Sequence, residues 1–154
     1  MIHYPSRTLM SYVKIWIHAV WGTKRRSPVL QPPILAQFCQ HIQKNAKSKE
    51  IYIDRINGYH DHIHVLMLLK SEYGISKQMQ LLKGESAFWA NKMKLVSGNF
   101  EWADKYFAAS VSESRLPFVR RYIDNQQVHH GKRSFQEEFG AFARGIGYDG
   151  VDFG

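Results

Sequence analysis

The residues best able to do chemistry stand in Asp61-His62-Ile63-His64, where two imidazoles alternate at the head of the apolar run Val65-Leu66-Met67-Leu68-Leu69. Side chains two apart on a strand share a face, with Cα atoms roughly 6.6 Å apart, so His62 and His64 can converge on one metal ion. Ile63 and Val65 take the opposite face and bury it, which would hold the pair on a rigid element. The same pattern also suits two histidines that merely lie beneath a helix, and His-x-His alone does not decide between the two. His60 lies two residues earlier and, on strand geometry, shares the ligand face. Tyr122 and Gln126 are four apart in a stretch with helical patterning, so they share a face of their own.

Composition bounds what these groups can serve. The chain has 154 residues, 44% hydrophobic and 14% aromatic, which fits a single globular domain over 1–154 and disfavours disorder or a repeat array. Its 21 Lys and Arg against 13 Asp and Glu give a formal charge of +8. Such a balance favours a polyanionic partner such as nucleic acid, although it also serves solubility. A single cysteine, Cys39, excludes an internal disulfide and paired-cysteine zinc sites, and its neighbours place it in the core. Lys14 and His18 interrupt the apolar stretch from Ser11 to Trp21, which is therefore neither a signal peptide nor a membrane span. A cytoplasmic, reducing setting with no membrane partner is the expectation.

The elements that must position the histidines follow from periodicity. Residues 1–10 read as a loose arm. Val13, Ile15, Ile17, Ala19 and Trp21 alternate along a first strand from Ser11, ended by Gly22-Thr23 and a basic knot, Lys24-Arg25-Arg26. Pro32-Pro33 opens a helix running to about Ser48. Ile51 to Ile56 is a second strand, and Asn57-Gly58 predicts a hairpin turn into a third, Tyr59 to Leu69. Ser76 can cap a long helix that reaches Met93 and contains Gly84, an irregularity that is either tolerated or kept for a close approach of DNA or another chain. Lys105 to Ser112 is the fourth strand. A helix from Ser114 or Pro117 carries Arg120, Arg121, Tyr122 and Gln126, another spans Ser134 to Arg144, and 145–154 is a tail. The order βαββαβ with two further helices predicts an α+β, ferredoxin-like antiparallel sheet with the first and third strands central. Its open face awaits the tyrosine helix, or a partner's copy of it.

Four stretches together resemble the single-tyrosine HUH transposases of small bacterial insertion sequences and their REP-associated relatives. They are Trp21-Gly22-Thr23-Lys24-Arg25-Arg26-Ser27-Pro28-Val29-Leu30, Asp61-His62-Ile63-His64-Val65-Leu66, Leu82-Lys83-Gly84-Glu85-Ser86 and Arg121-Tyr122-Ile123-Asp124-Asn125-Gln126. The last contains the family's Tyr-x-x-x-Gln, and the likeness extends from Ser11 to about Phe142. The resemblance implies a divalent metal held by His62, His64 and Gln126, and Tyr122 as the nucleophile that cleaves single-stranded DNA near hairpins. It also implies a homodimer whose active sites are shared between subunits. His60 departs from the pattern, standing where relatives often carry a carboxylate; it could be an outer-shell group, an extra ligand or a DNA contact.

The chemistry is coherent. Rejoining a cut phosphodiester requires its bond energy to be kept in a covalent phosphotyrosine, so no nucleotide cofactor is needed. A free tyrosine has a pKa of about 10, which calls for a divalent ion at the phosphate, and an open nitrogen and oxygen site suits Mg²⁺ or Mn²⁺. Lys24, Arg25, Arg26, Lys83, Arg120 and Arg121 are candidates for DNA backbone contacts, and Trp89 or Trp102 for base stacking. Two other functions compete: a non-catalytic nucleic-acid-binding module and a phosphodiesterase that uses water.

Overall fold

The computed structural model describes residues 11–130. β1 (Trp16–Thr23), β2 (Ile53–Tyr59), β3 (His62–Leu68) and β4 (Trp102–Val111) form one sheet in the order β2-β3-β1-β4, every neighbouring pair antiparallel. β1 and β3 are central, as the ferredoxin-like reading requires. The helix expected over Ser134 to Arg144 and the tail lie outside the described residues.

Alternation along the central strands sorts side chains onto two cores. Ile17, Ala19, Trp21, Ile63, Val65 and Met67 face α1 (Pro32–Ser48) and α2 (Ile75–Lys92), packing with Phe38, Ile42, Met79 and Leu82. On the other face Trp16, Val20, Leu66 and Leu68 pack against Leu116, Val119, Tyr122 and Ile123 of α3 (Leu116–Asp124). Full burial of a large apolar side chain contributes about 1.5–3 kcal/mol, and this second core seats α3 on the sheet. The face of β1 that alternation marks as the less apolar one is therefore covered too, by a helix from the same chain.

The hairpin turn differs from expectation. It falls at His60–Asp61, while Asn57 and Gly58 continue β2 opposite His64 and Ile63. Gly58 is a glycine of close approach: a Cβ there would stand 2.2 Å from the His62 carbonyl oxygen. The turn is held to neighbouring chain by Thr23 N–H donating to the Asp61 carbonyl at 2.9 Å and Leu30 N–H donating to the His60 carbonyl at 2.9 Å. β1 also starts later than expected, at Trp16, and β4 earlier, at Trp102.

Candidate active site

His62 and His64 open β3 on the face covered by α3, opposite Gly22 and Val20 of β1. Both are 0% exposed, as is Gln126, and Tyr122 is 7% exposed. Gln126 is the first residue of a short helix, α4 (Gln126–His130), separated from α3 by a break at Asn125. Tyr122 and Gln126 thus straddle two helical segments rather than sharing one. They remain adjacent because Gln126 Nε2 donates to the Tyr122 carbonyl at 3.1 Å, which turns Gln126 Oε1 toward His62 Nε2, also at 3.1 Å. The Tyr122 and His64 rings meet edge to face with centroids 5.5 Å apart. Histidine pair, tyrosine and glutamine therefore converge within one chain.

The seating of α3 depends on residues whose role was not legible in the sequence. Asn57 of β2 donates to the carbonyl of Ile123 at 2.8 Å and exchanges amide hydrogen bonds with Gln127 at 3.1 and 2.9 Å. It satisfies carbonyls that the end of a helix leaves without partners. Arg120 donates to both Asp54 oxygens, at 2.8 and 3.2 Å, from a position beside β2. That carboxylate raises the Arg120 pKa. An Asn-Gly pair signals a turn, so nothing in the sequence marked Asn57 as the anchor of the tyrosine helix.

Each histidine has one ring nitrogen engaged away from the other groups. Asp61 Oδ1 lies 2.8 Å from His62 Nδ1, and His18 Nε2 lies 3.0 Å from His64 Nδ1. Burial pushes the His18 pKa down to about 3, so that ring is neutral. Asp61 Oδ1 is placed to accept from His62 Nδ1–H, and His62 Nε2 faces the Gln126 carbonyl oxygen. Either a proton on Nε2 or a cation between the two atoms completes that contact. Neighbouring ligands on an octahedral ion with bonds of about 2.1 Å stand about 3.0 Å apart, close to the 3.1 Å separation here. Two imidazole nitrogens and an amide oxygen make a mixed nitrogen and oxygen donor set that could hold a divalent ion. Among the described residues no group of three or more His, Cys, Asp and Glu side chains is placed to hold a metal.

His60 is not part of this arrangement. It lies in the turn between β2 and β3 rather than on the strand, and its ring stacks on Tyr59 with centroids 4.0 Å apart. Asp61 stands beside His62 instead.

The basic residues divide. Lys24 pairs with Glu101 at 2.9 Å, and Lys83 Nζ donates to the carbonyls of Ala103 and Asp104 at 2.8 and 3.1 Å, where desolvation lowers its pKa. Arg26 is half-buried over Gly22 near Asp61; burial lowers its pKa and the Asp61 charge opposes that shift. Arg25 and Arg121 are exposed. Arg25 and Arg26 hold left-handed backbone, φ 57° and 55°, an uncommon conformation for residues with a Cβ. Of the aromatics expected to stack bases, Trp102 is buried and donates to Ser86 Oγ at 2.9 Å, and Trp89 stacks on His41. Glu85 bonds the same His41, so the stretch from Lys83 to Ser86 ties α2 to both β4 and α1.

A sheet carrying a histidine pair under successive helical segments that supply a tyrosine and a glutamine defines a class of DNA-processing protein. Residues 11–126 match the family described as transposase IS200 like, and the chain belongs to that family of single-tyrosine transposases. It is similar to the ISDra2 transposase TnpA of Deinococcus radiodurans, 26% identical over 115 residues that cover 71% of this chain and 81% of that protein. Two solved structures share the fold. A transposase from Deinococcus radiodurans R1 aligns with a TM-score of 0.62 at 22% identity, over 82% of this chain and 98% of that one. A REP-associated tyrosine transposase bound to a REP hairpin aligns with a TM-score of 0.57 at 20% identity, over 100% and 94%. Among the described residues no helix is long and apolar enough to cross a membrane.

Proposed function

We propose that this transposase cleaves and rejoins single-stranded DNA at hairpin-bearing ends through a covalent bond to Tyr122, with a divalent ion, Mg²⁺ or Mn²⁺, held by His62, His64 and Gln126. The observation that carries this reading is the 3.1 Å approach of Gln126 Oε1 to His62 Nε2, which places the tyrosine helix against the histidine pair. The ion would supply charge to offset that developing on the phosphate. Tyr122 Oη attacks phosphorus, releasing its proton to solvent. A Tyr–O–P bond forms on the 5′ side as the P–O3′ bond breaks, and the departing O3′ takes a proton to become a 3′-hydroxyl. The reverse attack by a 3′-hydroxyl rejoins a strand and restores the tyrosine.

Because the histidines and Gln126 are 0% exposed, α3 must lift to admit a scissile phosphate. The exposed Arg25 and Arg121 are the best placed of the basic residues to meet a DNA backbone, and the charge of +8 supports that partner. The known relative bound to a hairpin supports hairpin DNA as its form. The homodimer implied by the family resemblance belongs to this proposal, and the packing of α3 on its own sheet favours each copy using its own Tyr122. A single cysteine, whose thiol burial pushes up to about 12, suits a reducing compartment such as the cytoplasm.

The test is to incubate the protein with Mn²⁺ and labelled single-stranded hairpins from its own genomic locus, then run denaturing gels. A labelled band that migrates with the protein is expected. Cleavage without such a band would favour a water-using phosphodiesterase, and binding without cleavage a nucleic-acid-binding module.

A further inference from the structure

We infer that His18 is a positioning residue: it fixes the ring of His64 in the tautomer protonated at Nδ1, so that Nε2 is presented to the site as a lone pair. The claim rests on the proposed reading of His64 as a metal ligand.

The geometry begins in the sheet register. His18 of β1 lies opposite Leu66, and His64 lies opposite Val20, so the two histidines are diagonal neighbours on the same face. Diagonal pairs are within reach of aromatic side chains. Here His18 Nε2 stands 3.0 Å from His64 Nδ1, and the rings stack at 23° with centroids 5.2 Å apart. Phe107 and Tyr122 each meet the His18 ring edge to face, with centroids 6.3 Å away at 75° and 74°, so its orientation is fixed on several sides. His18 is 1% exposed and His64 0%.

Which nitrogen of His64 serves the site follows from that contact. Nδ1 is taken up by His18, so the nitrogen left for a ligand role is Nε2. When both imidazoles are neutral, the N···N bond contains one proton, and the ring that donates it keeps a lone pair on its other nitrogen. If His64 donates, Nε2 is a lone pair and can bind a cation. If His18 donates, His64 bears its proton on Nε2 and cannot. A His64 that binds a cation through Nε2 therefore requires His18 to be the acceptor, the part Asp61 takes toward Nδ1 of His62 at 2.8 Å. Both histidines then present Nε2, each oriented by a neighbour, an arrangement general to metal-binding imidazoles. A lysine or arginine at position 18 could only donate and would force the wrong tautomer.

The tautomer can be read without metal. In ¹⁵N-histidine-labelled protein, two-dimensional NMR of the imidazoles should show His64 protonated at Nδ1 in the metal-free wild type. His18→Phe, which keeps a ring but has no acceptor, should move His64 toward the mixture of an unconstrained imidazole. His18→Gln, whose amide oxygen can accept, should restore the Nδ1–H form. Mn²⁺ affinity measured by calorimetry should fall about 10- to 100-fold in His18→Phe and recover in His18→Gln. A His64 protonated at Nε2 in the wild type, which needs no variant to fold, overturns the inference. So does unchanged Mn²⁺ affinity in a folded His18→Phe. A wild type with the expected tautomer that binds no Mn²⁺ would instead sink the metal reading and leave the role of His18 on the ring intact.

Discussion

Gln126 Oε1 faces His62 Nε2 across 3.1 Å, while the nitrogen of the same amide is held by the Tyr122 carbonyl at 3.1 Å. One side chain thus joins the candidate nucleophile to the candidate metal ligands. Replacing it with alanine removes a candidate ligand from the site along with its contacts to His62 and the Tyr122 carbonyl. For Gln126→Ala, Mn²⁺ affinity should drop at least about tenfold, while stability changes by only about 0.5–1.5 kcal/mol. Calorimetric titration and a denaturant melt on the same sample check both, and unchanged Mn²⁺ binding would remove Gln126 from the ligand set.

Two glycines should respond in opposite directions. A Cβ at Gly58 meets the His62 carbonyl at 2.2 Å, and both atoms belong to paired backbone, so neither can turn aside. Gly58→Ala should cost about 1–3 kcal/mol and should weaken Mn²⁺ binding as β3 shifts at His62. At Gly84 a Cβ has nothing within 4 Å. Gly84→Ala in the middle of α2 should stabilise by about 0.5–1 kcal/mol, yet hairpin DNA should bind more weakly if the glycine is kept for DNA. Equal affinity of variant and wild type in a gel-shift titration would show that it is not.

Arg120 is expected to matter to the fold more than to DNA. Its partner Asp54 has a side chain only 8% exposed, so Arg120→Ala leaves a nearly buried carboxylate without its bidentate donor. A loss of about 1.5–3 kcal/mol is expected, the range for hydrogen bonds to charged groups. Arg121→Ala, on the exposed side of α3, should leave stability within about 0.5 kcal/mol and lower DNA affinity and its salt dependence. Melts and salt-dependent binding isotherms separate the two, and the reverse pattern would reassign them.

Acid should destabilise the metal-free chain through His18. Its folded-state pKa is lowered from 6.5 to about 3, so between those values the unfolded chain binds a proton that the folded chain excludes. Stability from this group is complete above about 6.5 and is lost as the pH falls toward 3, by up to about 1.4 kcal/mol per pH unit. Denaturant melts from pH 7 to 5 should show a steeper decline for wild type than for His18→Phe, the other histidines being common to both. Equal slopes would contradict a buried neutral His18.

The sheet was legible because alternation in Val13 to Trp21 and the apolar run after His64 leave few other pairings. The histidine pair was legible for the same reason. The turn was not: Asn57-Gly58 carries the strongest local turn signal in the chain, but tertiary demands use both residues elsewhere, Asn57 to hold α3 and Gly58 to let β2 approach β3. That displacement moved His60 off the ligand face. His18 escaped notice because its partner lies 46 residues away and only strand register makes them neighbours. Charge alone does not reveal that Lys83 and Arg120 have partners inside the fold or that Lys24 pairs with Glu101 at its surface.

The central claim is that Tyr122 becomes covalently attached to DNA. Its most direct test is to trap the product formed with Mn²⁺ and a hairpin substrate, digest the protein and DNA, and sequence the modified peptide by tandem mass spectrometry. A 5′-phosphonucleotide on Tyr122, absent from the Tyr122→Phe protein, is the predicted result. A nucleotide on another residue, or DNA cut with every tyrosine unmodified, would contradict it.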